Sequence, residues 1–269
     1  MPSDISAPLP PAQPPRRQAT LRTISALMLR EMSTTYGRSA LGYVWAILEP
    51  AAGILLLTMI FSLMLRSPPL GTNFPLFYAS GFLPFMAYND ISQKVSVSLR
   101  FSKALMFYPG VTFLDALTAR LLINSITQIM VAGIVFGAII WFSGVDILFD
   151  PVALAHGFFM AFVLALGIGT LNCYLLSLFP VWERTWAVVT RPLFIISGVL
   201  FLVDSVPEPY QGWLMWNPLV HVVGEVRRGI FNTYVGDYIS PLYVYAVALV
   251  TFAAGLLLLR RYNREIANL

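Results

Sequence analysis

Residues 43–65 read YVWAILEPAAGILLLTMIFSLML and contain one charged side chain, that of Glu49. A helix needs about 20 consecutive apolar residues to cross the core of a bilayer, and this stretch is long enough. The whole chain of 269 residues has the same character, with 11% charged and 58% hydrophobic residues and a mean hydropathy of +0.74. So few charges cannot cover a water-exposed surface, since ordinary globular domains have about 25%. The composition predicts an all-α membrane protein and excludes a soluble enzyme, a secreted disulfide scaffold and a disordered tail.

Six apolar stretches approach or exceed the length of a span, so the sequence predicts six transmembrane helices. Upstream of them, residues 20–40 carry apolar side chains at helical spacing between arginines, which is typical of an amphipathic helix in the membrane interface. Residues 1–19 form a proline-rich leader that we expect to be disordered and cytoplasmic, and residues 41–269 form the transmembrane domain. The five stretches after residues 43–65 are residues 74–93, 111–142, 152–179, 186–206 and 241–259.

The segment before the last predicted span, about residues 210–238, is aromatic and apolar but is broken by Pro218 and several glycines. Each piece is too short to cross a bilayer, so we expect a periplasmic re-entrant pair of helices, with an amphipathic surface loop as the alternative. Of the 17 Lys and Arg residues, fourteen fall on the side of the amino terminus in this topology. That bias predicts that both termini are cytoplasmic.

The sequence offers little that could support catalysis. His156 and His221 are more than 60 residues apart, and the chain has no HExxH pair, no G-x-S-x-G elbow and no P-loop. We therefore expect no catalytic residue and no metal site, and any ATP hydrolysis that drives transport must belong to another subunit. Cys173 is interpreted as a small buried apolar residue.

Ionisable side chains at membrane depth are costly and mark functional candidates. Glu49, which follows about six apolar residues of the first span, is the candidate gating residue, whereas Asp90 and Asp115 are either functional or paired with basic neighbours. Gly133 and Gly137 have the G-x-x-x-G spacing that permits close approach of another helix. Aromatic residues make up 14% of the chain and either form interfacial belts or line a wide path for sugars.

Two motifs resemble those of one protein family. Residues 29–50, LREMSTTYGRSALGYVWAILEP, resemble the amino-terminal signature of type-2 ABC transporter permeases. Within them, LGYVWAILEP is especially similar to the permeases that export capsular polysaccharide from Gram-negative bacteria. Residues 216–231, WNPLVHVVGEVRRGIF, resemble the family's motif before the last span. The leader is outside the family pattern, and Glu183-Arg184 stands where the family commonly has Arg-Asp.

This resemblance implies the permease subunit of an ATP-driven exporter of lipid-linked capsular polysaccharide in the bacterial inner membrane. It implies a homodimer with the translocation path between its subunits and a separate ABC ATPase dimer, which binds the ATP and Mg²⁺, on the cytoplasmic face. A periplasmic co-polymerase and an outer-membrane exporter are further expected partners. The chain itself would need no cofactor and bind no nucleic acid.

Candidate site residues follow from their positions and from the resemblance. The basic residues expected to meet the lipid phosphate where the substrate enters are Arg22, Arg30 and Arg38. The aromatic residues expected in the channel or its entrance are Tyr36, Tyr43, Trp45, Trp182 and Trp186. The cytoplasmic loop at residues 94–109 would couple to the ATPase through Lys94, Arg100 and Lys103. The re-entrant motif comprises Trp216, Asn217, Pro218, His221 and Arg227.

Three alternatives stay open at this point. The same family also exports O-antigen, teichoic acid and small molecules, and the two motifs do not exclude those ligands. A proton-coupled secondary transporter is disfavoured because the middle of the predicted spans lacks a relay of acidic residues. A membrane glycosyltransferase would need an acidic metal-binding site, which the sequence does not provide.

Overall fold

The computed structural model describes residues 16–35, 42–103, 111–144 and 149–262. The predictions for residues 1–15, Tyr36 and Arg38 lie outside the described residues, as does the side chain of Tyr43. The described residues form ten α-helices and one short 3-10 helix, with no strand among them. This confirms the all-α class.

The helices follow one another along the chain with short connections. In chain order they are α1 Arg16–Thr35, α2 Gly42–Met64, α3 Phe74–Ser96, α4 Ser98–Ser102, α5 Phe113–Ser143, α6 Pro151–Leu178, α7 Pro180–Ile196, α8 Tyr210–Leu214, α9 Pro218–Ile230 and α10 Pro241–Arg261. Four of them, α2, α5, α6 and α10, are long and apolar enough to cross a membrane. The six-span count therefore stays a prediction, with α3 and α7 as its second and fifth members.

Side-chain caps fix where several helices begin. Thr112 and Asp115 form a capping box at the start of α5, in which the Asp115 carboxylate accepts a hydrogen bond from the Thr112 N–H at 2.9 Å. Asp150 caps α6 by accepting hydrogen bonds from the N–H groups of Val152 and Ala153. These carboxylates satisfy backbone donors that a helix start leaves free. Asp115 is therefore a capping residue, which explains its position low in the third predicted span.

Helix α6 lies at the centre of the fold and packs against α3, α9 and α10. Its core positions are filled by fully buried apolar side chains such as Met160 and Leu164. The approach to α10 is close because Gly167 has no side chain: a methyl group there would overlap the carbonyl of Ala248. Gly133 and Gly137 instead face open space, with nothing within 4 Å of an added methyl group, so the G-x-x-x-G spacing makes no helix contact within the described residues.

Three predicted boundaries are wrong. Residues 16–19 belong to α1 rather than to the leader, and the fifth apolar helix spans Pro180–Ile196 rather than residues 186–206. Pro180 starts α7 early because proline is favoured in the first helical turn. Lys94 lies in the last turn of α3 rather than in a loop, so the described part of the coupling segment consists of that turn and α4.

Candidate substrate path and coupling site

A polar cavity of about 600 Å³ lies between α2, α3 and α5. Asp90 lines this cavity, and its Oδ2 accepts hydrogen bonds from Lys94 Nζ at 3.0 Å and from Gln128 Nε2 at 2.8 Å. The contact with Gln128 joins α3 to α5, and both contacts hold the Asp90 carboxylate at the cavity wall. The acidic and amide side chains that line the cavity are Glu49, Asn89, Asp90, Gln93 and Gln128.

Two predicted site residues of α2 lie at this cavity. Trp45 is 64% exposed and lines it together with Glu49. The Glu49 carboxylate, also exposed, has no hydrogen-bond partner among the residues that the structure describes. An indole face and a free carboxylate beside one another can stack on a sugar ring and accept its hydroxyl hydrogens. The gating role of Glu49 stays a prediction.

A second cavity, of about 540 Å³, lies on the other side of α3, against α6 and α7. Asn89 and Gln93 line both cavities, and Gln93 Nε2 donates to Asn89 Oδ1 at 3.0 Å. Trp186 lines the second cavity and stacks on Trp182, with ring centroids 6.1 Å apart. The Trp182 indole N–H donates to Asn172 Oδ1 at 2.9 Å, so hydrogen bonding positions this aromatic pair.

The end of α1 joins α4 and α5 through stacked cations and a buried ion pair. The guanidinium groups of Arg30 and Arg120 lie over the ring of Phe101, at 4.9 Å and 4.1 Å from its centroid. Arg120 Nε lies 3.2 Å from a carboxylate oxygen of Glu31. Arg30 therefore contacts the protein rather than projecting freely, whereas Arg22, on the same helix, is exposed.

The other coupling candidates surround α4. Arg100 NH1 lies 3.0 Å from Glu183 Oε2, and its other terminal nitrogen donates to the main-chain carbonyl of Leu176. Arg100 thereby connects α4 to the end of α6 and the start of α7. Lys103 directly follows α4 and is half-buried.

The motif of residues 216–231 caps α9 and supports the chain that leaves α7. Asn217 accepts a hydrogen bond from Leu219 N–H at 3.1 Å, and its amide donates to Ser197 Oγ at 3.1 Å. Pro218 follows as the first helical residue. His221 donates from Nε2 to the Met215 carbonyl at 2.9 Å and accepts the Ser240 N–H at Nδ1, which is a structural role.

Arg227 is fully buried. It donates to the carbonyls of Phe201 at 2.9 Å and Val199 at 3.0 Å, and its guanidinium lies 4.5 Å from the centre of the Phe77 ring. Arg227 therefore holds the main chain that follows α7 against α3. The Trp216 side chain is 78% exposed. Its main-chain carbonyl accepts a hydrogen bond from the Tyr243 hydroxyl at 2.7 Å.

Sequence reasoning missed two polar clusters. The first is at Glu31, whose carboxylate contacts both Asn124 Nδ2 and Arg120. Glu225 is fully buried, and its Oε1 lies 2.8 Å from His156 Nδ1 and 2.7 Å from Arg228 NH2. A usable signal for the first cluster was the i, i+4 spacing of Arg120 and Asn124 within an apolar helix.

No group of three or more metal-binding side chains occurs in the part of the chain that the structure describes. The polar side chains of both cavities include carboxylates, amides, hydroxyls, an indole and a single cation each. They are suited to binding a hydroxyl-rich ligand through many weak contacts.

Comparison with known proteins places this arrangement in a family. The family described as ABC-2 type transporter matches residues 22–231. The polysialic acid transport protein KpsM of Escherichia coli is 33% identical over 92% of this chain and 95% of its own length. The capsule polysaccharide export inner-membrane proteins CtrC of Neisseria meningitidis serogroup B and BexB of Haemophilus influenzae are 27% and 26% identical, over 91% of this chain and 92% of their own lengths. The chain belongs to the ABC-2 type transporter family of membrane proteins.

Proposed function

We propose that this chain is the permease subunit of an ATP-driven exporter that moves lipid-linked capsular polysaccharide across the inner membrane. The observation that carries the proposal is the similarity to the polysialic acid transport protein over nearly the full length of both chains. The two cavities beside α3, lined by amides and tryptophans, support a hydroxyl-rich substrate. O-antigen, teichoic acid and small molecules are the alternative cargoes of such an exporter.

In the proposed topology α2, α3, α5, α6, α7 and α10 cross the membrane, and both termini are cytoplasmic. Arg260 and Arg261 at the end of α10 then lie on the same side as Lys94 and Arg100, in agreement with the excess of positive charge on cytoplasmic segments. Helices α8 and α9, of 5 and 13 residues, are too short to cross and form the periplasmic re-entrant pair.

Two copies of the chain would form the translocation path. Helix α7 contains no buried residue, and α2 exposes large apolar side chains along most of its length, including Leu55 and Met59. Among the six proposed spans these two helices pack least against the rest of the described chain, and they carry Trp45 and Trp186. Pairing them with a second copy would enclose the aromatic residues between the subunits.

The ATPase would bind at α4 and at the end of α1. Helix α4 contacts α3, α5 and α6. Helix α3 lines both cavities, α5 lines the first and α6 lines the second, so a displacement of α4 would be transmitted to the walls of both cavities. Arg30 and Phe101 connect α4 to α1. Arg22, Arg30 and Arg38 would receive the lipid phosphate through charge-assisted hydrogen bonds. A periplasmic co-polymerase and an outer-membrane exporter would complete the pathway.

Deletion of the gene in its host tests this proposal. We expect the polysaccharide to disappear from the cell surface and to accumulate inside the cell, and the intact gene to restore export. A variant with Arg100 replaced by alanine should restore less export than the Arg100→Lys control, which keeps the charge. Normal surface polysaccharide in the deletion strain, with transport of another ligand lost, would favour one of the alternative cargoes.

A further inference from the structure

A single residue interrupts the helix at the cytoplasmic end of α3. Helix α3 ends at Ser96 and α4 begins at Ser98, and Val97 between them has φ −101° and ψ 11°. Those angles lie in the bridge region rather than in the α-helical region. Residues 93–103 contain neither proline nor glycine, which are common local causes of a sharp break in a helix. The cause of this interruption therefore lies in hydrogen bonding.

The interruption frees the carbonyl of Lys94. In a continuous helix this carbonyl would accept the N–H of Ser98, four residues later. Here it accepts hydrogen bonds from Arg120 NH1 and from the Ser98 hydroxyl, the latter at 3.2 Å. A carbonyl has two lone pairs, so these two side chains take the place of the helical bond. Insertion of side chains into the hydrogen-bond ladder breaks or bends a helix in this way.

Arg120 contacts the chain on both sides of the interruption. Its NH1 holds the last turn of α3 at Lys94, and its guanidinium lies 4.1 Å from the centroid of the Phe101 ring in α4. Its Nε lies 3.2 Å from the carboxylate of Glu31 in α1, and the Arg120 side chain is only 7% exposed. One buried cation therefore clamps α1, the end of α3 and α4 together.

From this geometry we propose that residues 93–103 form a two-state joint, which we name the Val97 joint. While Arg120 holds the Lys94 carbonyl, the joint is broken and α4 packs against α5 and α6. When Arg120 withdraws, the Ser98 N–H takes the carbonyl, and α3 continues into α4 as one helix. Valine is only slightly unfavourable inside a helix, so the sequence of the joint is compatible with both states.

The Val97 joint lies next to the polar cavities. Gln93 and Asn89, about one and two helical turns before Val97, line both cavities. A change from the broken to the continuous state would turn α4 relative to these side chains. Arg120 is thus a positioning residue for α4. The role of the joint in export rests on the proposed function, in which α4 meets the ATPase.

Cysteine labelling of the purified full-length chain tests the joint. Ser102 in α4 is 3% exposed, so Ser102→Cys should react slowly with a maleimide while the joint is broken. Adding Glu31→Leu with Arg120→Leu removes the clamp without leaving an unpaired buried charge. We then expect labelling at least about tenfold faster, because the hydrogen bond from a charged donor to the Lys94 carbonyl is lost. An unchanged rate would overturn the joint.

The control for this measurement is Ser205→Cys, at an exposed position far along the chain from α4. Its labelling rate should be the same with and without the clamp. A parallel rise at both positions would show general loosening of the protein and would overturn the joint.

Two substitutions at Val97 distinguish a continuous helix from a merely loosened α4. Both remove the branched side chain, but alanine favours a helix interior over glycine by about fivefold in equilibrium constant. If the reactive state is the continuous helix, Val97→Ala should therefore label at Ser102→Cys about fivefold faster than Val97→Gly. Equal rates, or faster labelling with glycine, would mean that α4 reacts by loosening and would overturn the joint.

The role of the joint in coupling is tested in inside-out vesicles that contain the chain and its ATPase partner. We expect ATP to raise the labelling rate of Ser102→Cys severalfold, and the Glu31→Leu, Arg120→Leu background to abolish this response. An unchanged or lower rate together with intact export would remove the joint from coupling and leave the proposed function. The expected labelling of the purified chain, with a deletion that spares the polysaccharide, would keep the joint and remove the proposed function.

Discussion

The carboxylate of Glu31 lies 3.2 Å from Arg120 Nε, and the two side chains are only 5% and 7% exposed. Asn124 donates a further hydrogen bond to Glu31 at 3.2 Å, and Arg120 NH1 donates to the Lys94 carbonyl at 2.5 Å. This network anchors the amphipathic helix α1 to α5 and to the end of α3. The helix is therefore part of the folded domain, and a change at α4 reaches it through Arg120 and Phe101.

Replacement of Glu31 by alanine would leave Arg120 buried without its ion pair. Breaking a buried pair costs about 3–5 kcal/mol, so we expect a clearly lower unfolding temperature for the purified protein in detergent. Arg22→Ala, on an exposed position of the same helix, is the control and should leave that temperature unchanged. Wild-type stability of Glu31→Ala would contradict the network.

The double variant Glu31→Leu with Arg120→Leu separates stability from coupling. Apolar residues of similar volume often replace a buried ion pair without loss of stability, so we expect near-normal unfolding. Export should nevertheless fall, because the stack of Arg120 on Phe101 is lost. Full export by this variant would remove Arg120 from the coupling route.

The ion pair of Arg100 with Glu183 should contribute little to stability. Its side chains are 44% and 66% exposed, and exposed pairs typically contribute about 0–1 kcal/mol. We expect Glu183→Gln to unfold within a degree or two of the parent protein. Arg100→Ala, which also loses the bond to Leu176, should lower ATPase stimulation and export more than Glu183→Gln. Equal export by both variants would argue against an ATPase contact at Arg100.

Arg227 donates hydrogen bonds to two carbonyls at once, and only a forked guanidinium can make both bonds. Lysine offers one compact ammonium group in place of two parallel N–H donors and a planar face, so Arg227→Lys should leave a buried carbonyl unsatisfied. That loss costs about 1–3 kcal/mol and should appear as a lower unfolding temperature. The matched control is Arg228→Lys, at a side chain that is 46% exposed, and an equal effect of both variants would contradict this role.

The sequence was informative where a pattern is local. Apolar length predicts α2, α5, α6 and α10 to within a few residues. The start of α9 also has a local cause, since Asn217 caps the helix and Pro218 is its first residue. The end of α7 was not predictable, because Asn217 and Arg227, which hold the chain after it, are at least twenty residues away in sequence.

The sequence also does not reveal which residues far apart in the chain contact each other. Nothing local distinguishes Glu31 from the other charges of α1, and its partner Arg120 lies 89 positions further on. The same holds for Gly167, which contacts α10, whereas the more regular spacing of Gly133 and Gly137 makes no such contact. For the cavities, the sequence predicts only the aromatic residues near the first and fifth spans. The amides that line them are not predictable, because they become neighbours only when the helices pack.

Cys173, the single cysteine of the chain, should be inert in the folded protein. It is fully buried among the apolar side chains around α6. We expect no maleimide labelling of the native protein and one label per chain after unfolding. Rapid labelling in the native state would contradict the packing of α6.

An inert Cys173 makes the chain suitable for cysteines introduced one at a time in residues 97–103. We expect at least one of them to crosslink to the ATPase. No crosslink from any of these positions would remove α4 from the proposed interface.

Transport into inside-out membrane vesicles tests the central claim most directly. Vesicles that contain this chain and its ATPase partner should take up a lipid-linked capsular polysaccharide into the lumen when ATP is added. Vesicles with the ATPase alone, or with ATP replaced by a non-hydrolysable analogue, should show none. Uptake that continues without ATP, or that follows an imposed proton gradient instead, would contradict an ATP-driven permease.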